Sequence, residues 1–105
     1  MTREELKQAA LSLPYEPGVY LMKNAAGTVI YVGKAKKLKN RVSQYFQDTA
    51  SHNEKTKMMV AHVDRFDTII VRSEFEALVL ENSLIKRHMP RYNILLKDDK
   101  GYPFV

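Results

Sequence analysis

Two short runs near the start of the chain place aliphatic residues at alternate positions. Val19 and Leu21 lie in the first, Ile30 and Val32 in the second, and the turn signal Asn24-Ala25-Ala26-Gly27 separates them. Period-two alternation around such a turn predicts a β-hairpin. With those four residues as the loop, Lys23 pairs with Thr28 and Tyr20 stands directly opposite Tyr31. The four aliphatic side chains then share one face, as a core face should, and the two tyrosines share the other. A one-residue slip would separate the tyrosines and mix the aliphatic set, so the pattern favours this register. Two phenols side by side, next to Lys34, suit a reaction centre better than a core.

Elsewhere the apolar spacing is helical. Thr2-Arg3-Glu4-Glu5 is a capping-box pattern and predicts a helix over Arg3 to Ser12 with Leu6, Ala9, Ala10 and Leu13 inward, ended by Pro14 and Pro17. Gly33 frees the backbone to turn, and a helix follows from Ala35 to Phe46 with Leu38, Val42, Tyr45 and Phe46 on its inner side. Asn53 caps a further helix reaching Val63, with Met59, Val60 and Val63 inward. The β-branched run Thr68 to Arg72 predicts a third strand. Ser73-Glu74-Phe75-Glu76 opens the longest helix, which runs to His88 before Pro90 forces an exit. Asp98-Asp99-Lys100-Gly101 is a turn, and Tyr102 to Val105 begins an extended segment. The sum is an α+β domain, a small three-stranded antiparallel sheet flanked by helices. The 105 residues suffice for one domain with one core. With no closing polar tail, the chain is expected to be a fragment of a longer one.

Composition narrows the partners. The net charge is +5 and cysteine is absent. The excess favours a polyanion, and disulfide or thiolate chemistry is excluded. No apolar run approaches the ~18 residues of a membrane span, and Met1 to Ala10 lacks the apolar stretch of a signal peptide, so a cytoplasmic location is expected. Five cations and no acid lie between Lys34 and Arg41, namely Lys34, Lys36, Lys37, Lys39 and Arg41. Helical pitch puts Lys34, Lys37, Arg41 and Tyr45 on roughly one side. A solvated face is the plain alternative. Against it, like charges at this spacing repel with no acid to offset them. The run also starts at a glycine-preceded helix N-terminus, whose amides favour anions. Phosphate contact is the better reading.

Glu81 lies mid-way along the last long helix with Ala77, Leu78, Leu84 and Ile85 as helical neighbours, so no ion-pair partner stands at i±3 or i±4. Half shielded at the edge of an apolar stripe, it loses solvation unless something binds it. A divalent cation answers that need, and Mg²⁺ accepts a single carboxylate because it keeps waters and takes phosphate oxygens. An exposed glutamate leaning into water is the alternative. Asp98 and Asp99 sit in a turn and face solvent. His52, His62 and His88 show no ligand spacing. Asn82 points into the apolar stripe as a buried structural hydrogen-bonder.

Gly18-Val19-Tyr20, Tyr31-Val32-Gly33, Lys34, Arg41, Glu81 and Asn93 together resemble the GIY-YIG nucleases. The strings from Val29 to Lys36, Pro90 to Asn93 and Lys97 to Phe104 resemble the UvrC branch, which acts in bacterial nucleotide excision repair. Valine stands for isoleucine in both half-motifs, a conservative change on the core face. The resemblance implies a divalent-metal-dependent endodeoxyribonuclease making the 3′ incision beside a lesion with one Mg²⁺ or Mn²⁺. It also implies damaged double-stranded DNA as substrate, a UvrB-like partner bound through regions outside these residues, and a monomeric domain. Glu81 resembles the metal ligand. Tyr31, helped by Lys34, resembles the base or orienter of the attacking water, with Tyr20 beside it. Arg41 resembles the group that grips the scissile phosphate. Tyr45 and Asn93 match positions lining the family site, with a core-edge ring and turn chemistry as their plainer roles.

A tyrosine with a pKa near 10 is only ~0.1% ionised at neutral pH, so a base role demands a lowered pKa. Lys34 and a metal-bound water are expected to supply that lowering, with the rate rising with pH accordingly. A nucleic-acid-binding module without chemistry accounts for the cations and tyrosines but not for Glu81. A GIY-YIG nuclease of another lineage is the remaining alternative.

Overall fold

The computed structural model describes residues 2–47 and 52–98. Its sheet contains β1 (Gly18–Lys23), β2 (Val29–Ala35) and β3 (Arg65–Ile70), antiparallel, in the order β2-β1-β3. Around it lie α1 (Arg3–Leu11), α2 (Leu38–Gln47), α3 (Glu54–His62), α4 (Glu74–His88) and α5 (Arg91–Asp98). The expected α+β class with a three-stranded antiparallel sheet therefore holds, and so do the first four helices to within a few residues. The caps explain those boundaries. Thr2 and Glu5 exchange hydrogen bonds at 3.1 and 2.8 Å, and the Asn53 Oδ1 accepts from the Thr56 amide at 2.8 Å. Ser73 likewise accepts from the Glu76 amide, but the Glu76 carboxylate turns back to the Arg72 amide at 2.7 Å. The third strand begins at Arg65 rather than Thr68, earlier than its β-branched run.

Both faces of the sheet are buried. On one, Tyr20 and Met22 pack with Leu38, Val42, Tyr45 and Phe46 of α2 and with Met59 and Val60 of α3. On the other, Val19, Leu21, Val29 and Val32 meet Ala77, Leu80, Leu84 and Ile85 of α4. Burying side chains the size of Met22, Leu38 and Met59 contributes about 1.5–3 kcal/mol each. The tyrosine face is thus the larger core face, and Tyr20 is 1% exposed within it.

The hairpin register differs from expectation. Tyr20 lies opposite Gly33, Met22 lies opposite Tyr31, and a bulge brings Lys23 against Val29. The loop is one residue tighter than expected. The Asn24 amide donates to the Thr28 carbonyl, and the Gly27 amide closes the turn on the Asn24 carbonyl at 2.9 Å. Gly27 adopts φ 86°, and the Asn24 Oδ1 accepts from the Ala26 and Thr28 amides at 3.0 Å. A three-residue loop closed by a left-handed glycine accounts for one position of the shift. A separate bulge at Ile30, between the Lys23–Val29 and Met22–Tyr31 pairs, accounts for the other; it carries Ile30 to the tyrosine face and gives Val29 its place among the aliphatic set. Tyr20 and Tyr31 keep a common face as diagonal neighbours rather than a direct pair.

Three further expectations are corrected. Gly33 lies within β2 and makes no turn. Asn82 is exposed on the outer side of α4. The chain also does not leave regular structure at Pro90. Met89 ends α4 with a left-handed φ of 45°, and α5 begins at once, with the amides of Asn93 and Ile94 donating to the Pro90 carbonyl. Proline suits the first turn of a helix, where its missing amide leaves no bond unmade. Asp98 therefore ends a helix rather than entering a turn, while Asp99 to Val105 lie outside the described residues.

Candidate active site

The site forms around the edge strand β2, with α2 packed on one face of the sheet and α4 on the other. Gly33 makes it possible. A Cβ on Gly33 would overlap the ring and hydroxyl of Tyr20, so glycine lets that ring lie across β2. Tyr20 then reaches α2, where its hydroxyl meets that of Tyr45 at 2.7 Å. Gly18 does similar work at the other motif. A Cβ there would come within 2.6 Å of both the Ile69 carbonyl and the Leu38 side chain. The two motif glycines thus admit close packing between β1, β2, β3 and α2.

Three phenols cluster as a result. Ring centroids are 6.3 Å apart for Tyr20 and Tyr31, 5.7 Å for Tyr20 and Tyr45, and 6.5 Å for Tyr31 and Tyr45. Arg41, one turn before Tyr45, holds its guanidinium carbon 5.7 Å from the Tyr45 centroid. The phenols of Tyr20 and Tyr45 hold its charge more firmly than usual. Tyr45 is both a core ring and a site wall, because its ring is buried while its hydroxyl and outer face serve the cluster.

Burial is the main force on the phenols and pushes the ionisation of Tyr20 and Tyr31 well above the ordinary tyrosine range. Around Tyr31, the phenol of Tyr45 and the carboxylate of Glu81 push further up, while Arg41 pulls down. The expected lowering of Tyr31 is thus reversed. Strand alternation explains why Lys34 does not help. Tyr31 and Gly33 face α2, whereas Lys34 falls on the other face beside Glu74 and Ala77 of α4. Arg41 is the cation that acts on this phenol.

Glu81 belongs to the inward row Ala77–Glu81–Ile85 of α4, half-buried as its neighbours predict. It is near enough to Tyr31 to disfavour the phenolate. Among the described residues it makes no hydrogen bond or ion pair. No three His, Asp or Glu side chains come together among those residues. A divalent cation at Glu81 would therefore take its other ligands from water and phosphate, as a hard cation of Mg²⁺ type does.

Asn93 is 3% exposed. Its Oδ1 accepts from the Val32 amide at 2.7 Å, and its Nδ2 donates to the Val32 carbonyl at 2.8 Å. It pins the edge strand at the residue between Tyr31 and Gly33.

Arg41 links the cluster to the basic residues. A depression of about 430 Å³ is lined by Lys34, Lys36, Lys37, Asn40, Arg41 and Gln44. Lys39 points elsewhere, with Nζ 4.9 Å from the ring centroid of Tyr15. The expected anion site at the start of α2 is not free. The Leu38 and Lys39 amides already donate to the carbonyls of Glu16 and Pro14 at 2.9 and 3.2 Å. Side chains, not helix amides, present the positive charge.

One neighbour has no signal in the sequence. The His52 ring lies 5.8 Å from that of Tyr45, and its shielded Nε2 has no hydrogen-bond partner among the described residues. The sequence between α2 and α3 carries no periodic pattern that would place it.

Comparison with known proteins identifies the family and the fold. The UvrC-like GIY-YIG domain matches over residues 16–94. The UvrABC system protein C of Clostridium tetani is 62% identical over 93 residues, covering 89% of this chain and 15% of that protein. Its counterpart in Clostridium kluyveri is 60% identical over 101 residues, covering 96% of this chain and 16% of that protein. The chain thus spans about a sixth of the length of these relatives. The crystal structure of the GIY-YIG N-terminal endonuclease domain of UvrC from Thermotoga maritima, bound to magnesium as its catalytic divalent cation, superposes with a TM-score of 0.77. That domain is 41% identical, and the match covers 88% of this chain and 98% of that one. The chain belongs to the UvrC-like GIY-YIG domain family.

Proposed function

We propose that this chain is a divalent-metal-dependent DNA endonuclease domain that hydrolyses a phosphodiester on the 3′ side of a lesion in nucleotide excision repair. The observation that carries the reading is the unpaired, half-buried Glu81, whose charge is felt at Tyr31 as is that of Arg41. The Thermotoga domain carries its catalytic cation as magnesium, and tyrosine-to-phenylalanine and asparagine-to-alanine variants of it are solved with the cation bound. That fits a cation held by a carboxylate rather than by phenols or an amide.

Glu81 is the ligand to Mg²⁺ or Mn²⁺ in this reading. When bound, such a cation polarises a phosphate oxygen and offsets charge on the leaving group. Arg41 grips the scissile phosphate, where its fork suits two oxygens. Tyr31, held neutral, orients the attacking water through its hydroxyl rather than serving as a resting base. Tyr20 and Tyr45 fix each other, and with them the wall that Arg41 lies on. Asn93 positions β2 beneath Tyr31. Lys34, Lys36, Lys37 and Lys39 neutralise phosphates of the bound strand.

The domain acts within a longer polypeptide of the UvrC kind, and lesion choice and a UvrB-like partner belong to regions beyond these residues. A cytoplasmic location follows from that role. Among the described residues no helix is long and apolar enough to cross a membrane. Cutting of a lesion-bearing duplex in the assembled repair reaction tests the proposal. Glu81→Gln should lower the 3′ cut by at least about a hundredfold, since charge stabilisation in the transition state is lost. DNA affinity should stay within about twofold, because Glu81 is no part of the basic face. Near-normal cutting by Glu81→Gln would overturn it.

A further inference from the structure

Tyr15 lies in the segment joining α1 to β1, and 60% of its surface is exposed. The segment is firmly held. The carbonyls on either side of Tyr15, those of Pro14 and Glu16, accept from the Lys39 and Leu38 amides, and the Pro17 carbonyl accepts from Val71 at 3.0 Å. Pro14 and Pro17 restrict the backbone further. A rigid backbone therefore presents an open ring at the start of α2. The Lys39 Nζ stands 4.9 Å from its centroid and the Lys37 Nζ 6.0 Å. Lys37 also lines the depression that leads through Asn40 to Arg41, whose guanidinium lies on Tyr45. Two cations thus bridge two rings outward from the phenol cluster, in the order Tyr45, Arg41, Lys37, Tyr15.

We propose that Tyr15, flanked by Lys37 and Lys39, is an accessory nucleic-acid contact that stacks on an unpaired nucleobase of the strand whose phosphates follow α2. The pairing of chemistries is specific to a nucleotide, with a π-face for the base and ammonium groups for the phosphates on either side. Duplex bases hide their faces in the stack, so the ring selects a single-stranded or frayed segment. The inference rests on the reading of the α2 face as the DNA path, and it adds a contact outside the cleavage chemistry.

The chain has no tryptophan, so Tyr15→Trp introduces a single tryptophan that can be excited apart from the tyrosines. Binding is measured in EDTA, where nothing is cut, with a labelled single strand of about twelve nucleotides and its duplex. Tyr15→Ala should weaken single-strand binding by at least about fivefold, and duplex binding by less. Tyr15→Phe should bind like the parent, and Tyr15→Trp emission should be quenched at saturation. Parental affinity in Tyr15→Ala, loss in Tyr15→Phe equal to that in Tyr15→Ala, or unquenched Tyr15→Trp would overturn the stacking contact. The two failures are distinguishable. If Lys36→Ala weakens binding while Tyr15→Ala does not, only the accessory contact falls. If the parent binds neither DNA, the DNA path falls with it.

Discussion

The carboxamide of Asn93 pairs with the backbone of Val32 as a neighbouring strand would, accepting at 2.7 Å and donating at 2.8 Å. β2 is an edge strand, and this side chain satisfies two backbone groups that the sheet leaves open. The pair also ties α5 to the residue beside Tyr31. Removing it in Asn93→Ala leaves a buried amide and carbonyl unmet. The expected loss is about 1–3 kcal/mol, read as a shift in the urea midpoint. Asn93→Asp keeps the acceptor but sets a carboxylate against the Val32 carbonyl, and it should be no more stable than Asn93→Ala.

Gly33 is needed for space, not for flexibility. Its φ is not positive, yet any Cβ would strike the Tyr20 ring. Gly33→Ala should therefore destabilise the domain by about 1–3 kcal/mol through overpacking. In a Tyr20→Leu background the same change should cost less, since the atoms it strikes are gone. Additive effects in this double-mutant cycle would contradict the close approach.

The phenols predict a pH dependence of stability. Burial raises the ionisation of Tyr20 and Tyr31 in the folded state. Below the ordinary tyrosine value near 10, folded and unfolded chains both keep these protons, and the two groups add no pH dependence. Above it the unfolded chain loses protons that the folded chain retains, so unfolding is favoured as pH rises. Urea midpoints measured from pH 8 upward should hold level with respect to these groups and fall above about pH 10. Tyr20→Phe should make that alkaline fall shallower.

The same neutrality bears on cleavage. With Tyr31 held up by burial, no rate inflection between about pH 7 and 9 should belong to its phenol. An inflection that disappears in Tyr31→Phe would show the phenol titrating as a base after all.

Much of this arrangement was legible in the chain, and the misses have physical causes. Val19, Leu21 and Val32 marked their sheet face, and the inner residues of α2 from Leu38 to Phe46 were readable from helical spacing. Glu81 stood out by its apolar neighbours alone. The register did not follow, because the turn through the left-handed Gly27 is one residue tighter than its signal suggests and a separate bulge at Ile30 exchanges Ile30 for Val29. Periodicity reports faces, while the turn sets the count between them. The start of α2 was misread because its amides are met by the carbonyls of Pro14 and Glu16, some twenty residues earlier in the chain. The α5 helix was missed because a proline that ends one helix also starts the next. The help expected from Lys34 for Tyr31 came from the family resemblance, but strand positions three apart face opposite ways.

Salt dependence tests the basic face. If about four of its cations meet phosphates, log K for DNA should fall with log salt at a slope near −3.5. Lys36→Ala should flatten that slope by about 0.9 without changing which strand is cut. An unchanged slope would place Lys36 in solvent rather than on the DNA.

Crystals of the domain soaked in divalent manganese give the most direct test of the site. One anomalous peak is expected at coordinating distance from the Glu81 carboxylate, on the side facing Tyr31 and Arg41, and it should vanish in Glu81→Gln. A peak held by other residues, or a Glu81 carboxylate that stays free in the presence of the ion, would contradict the assignment.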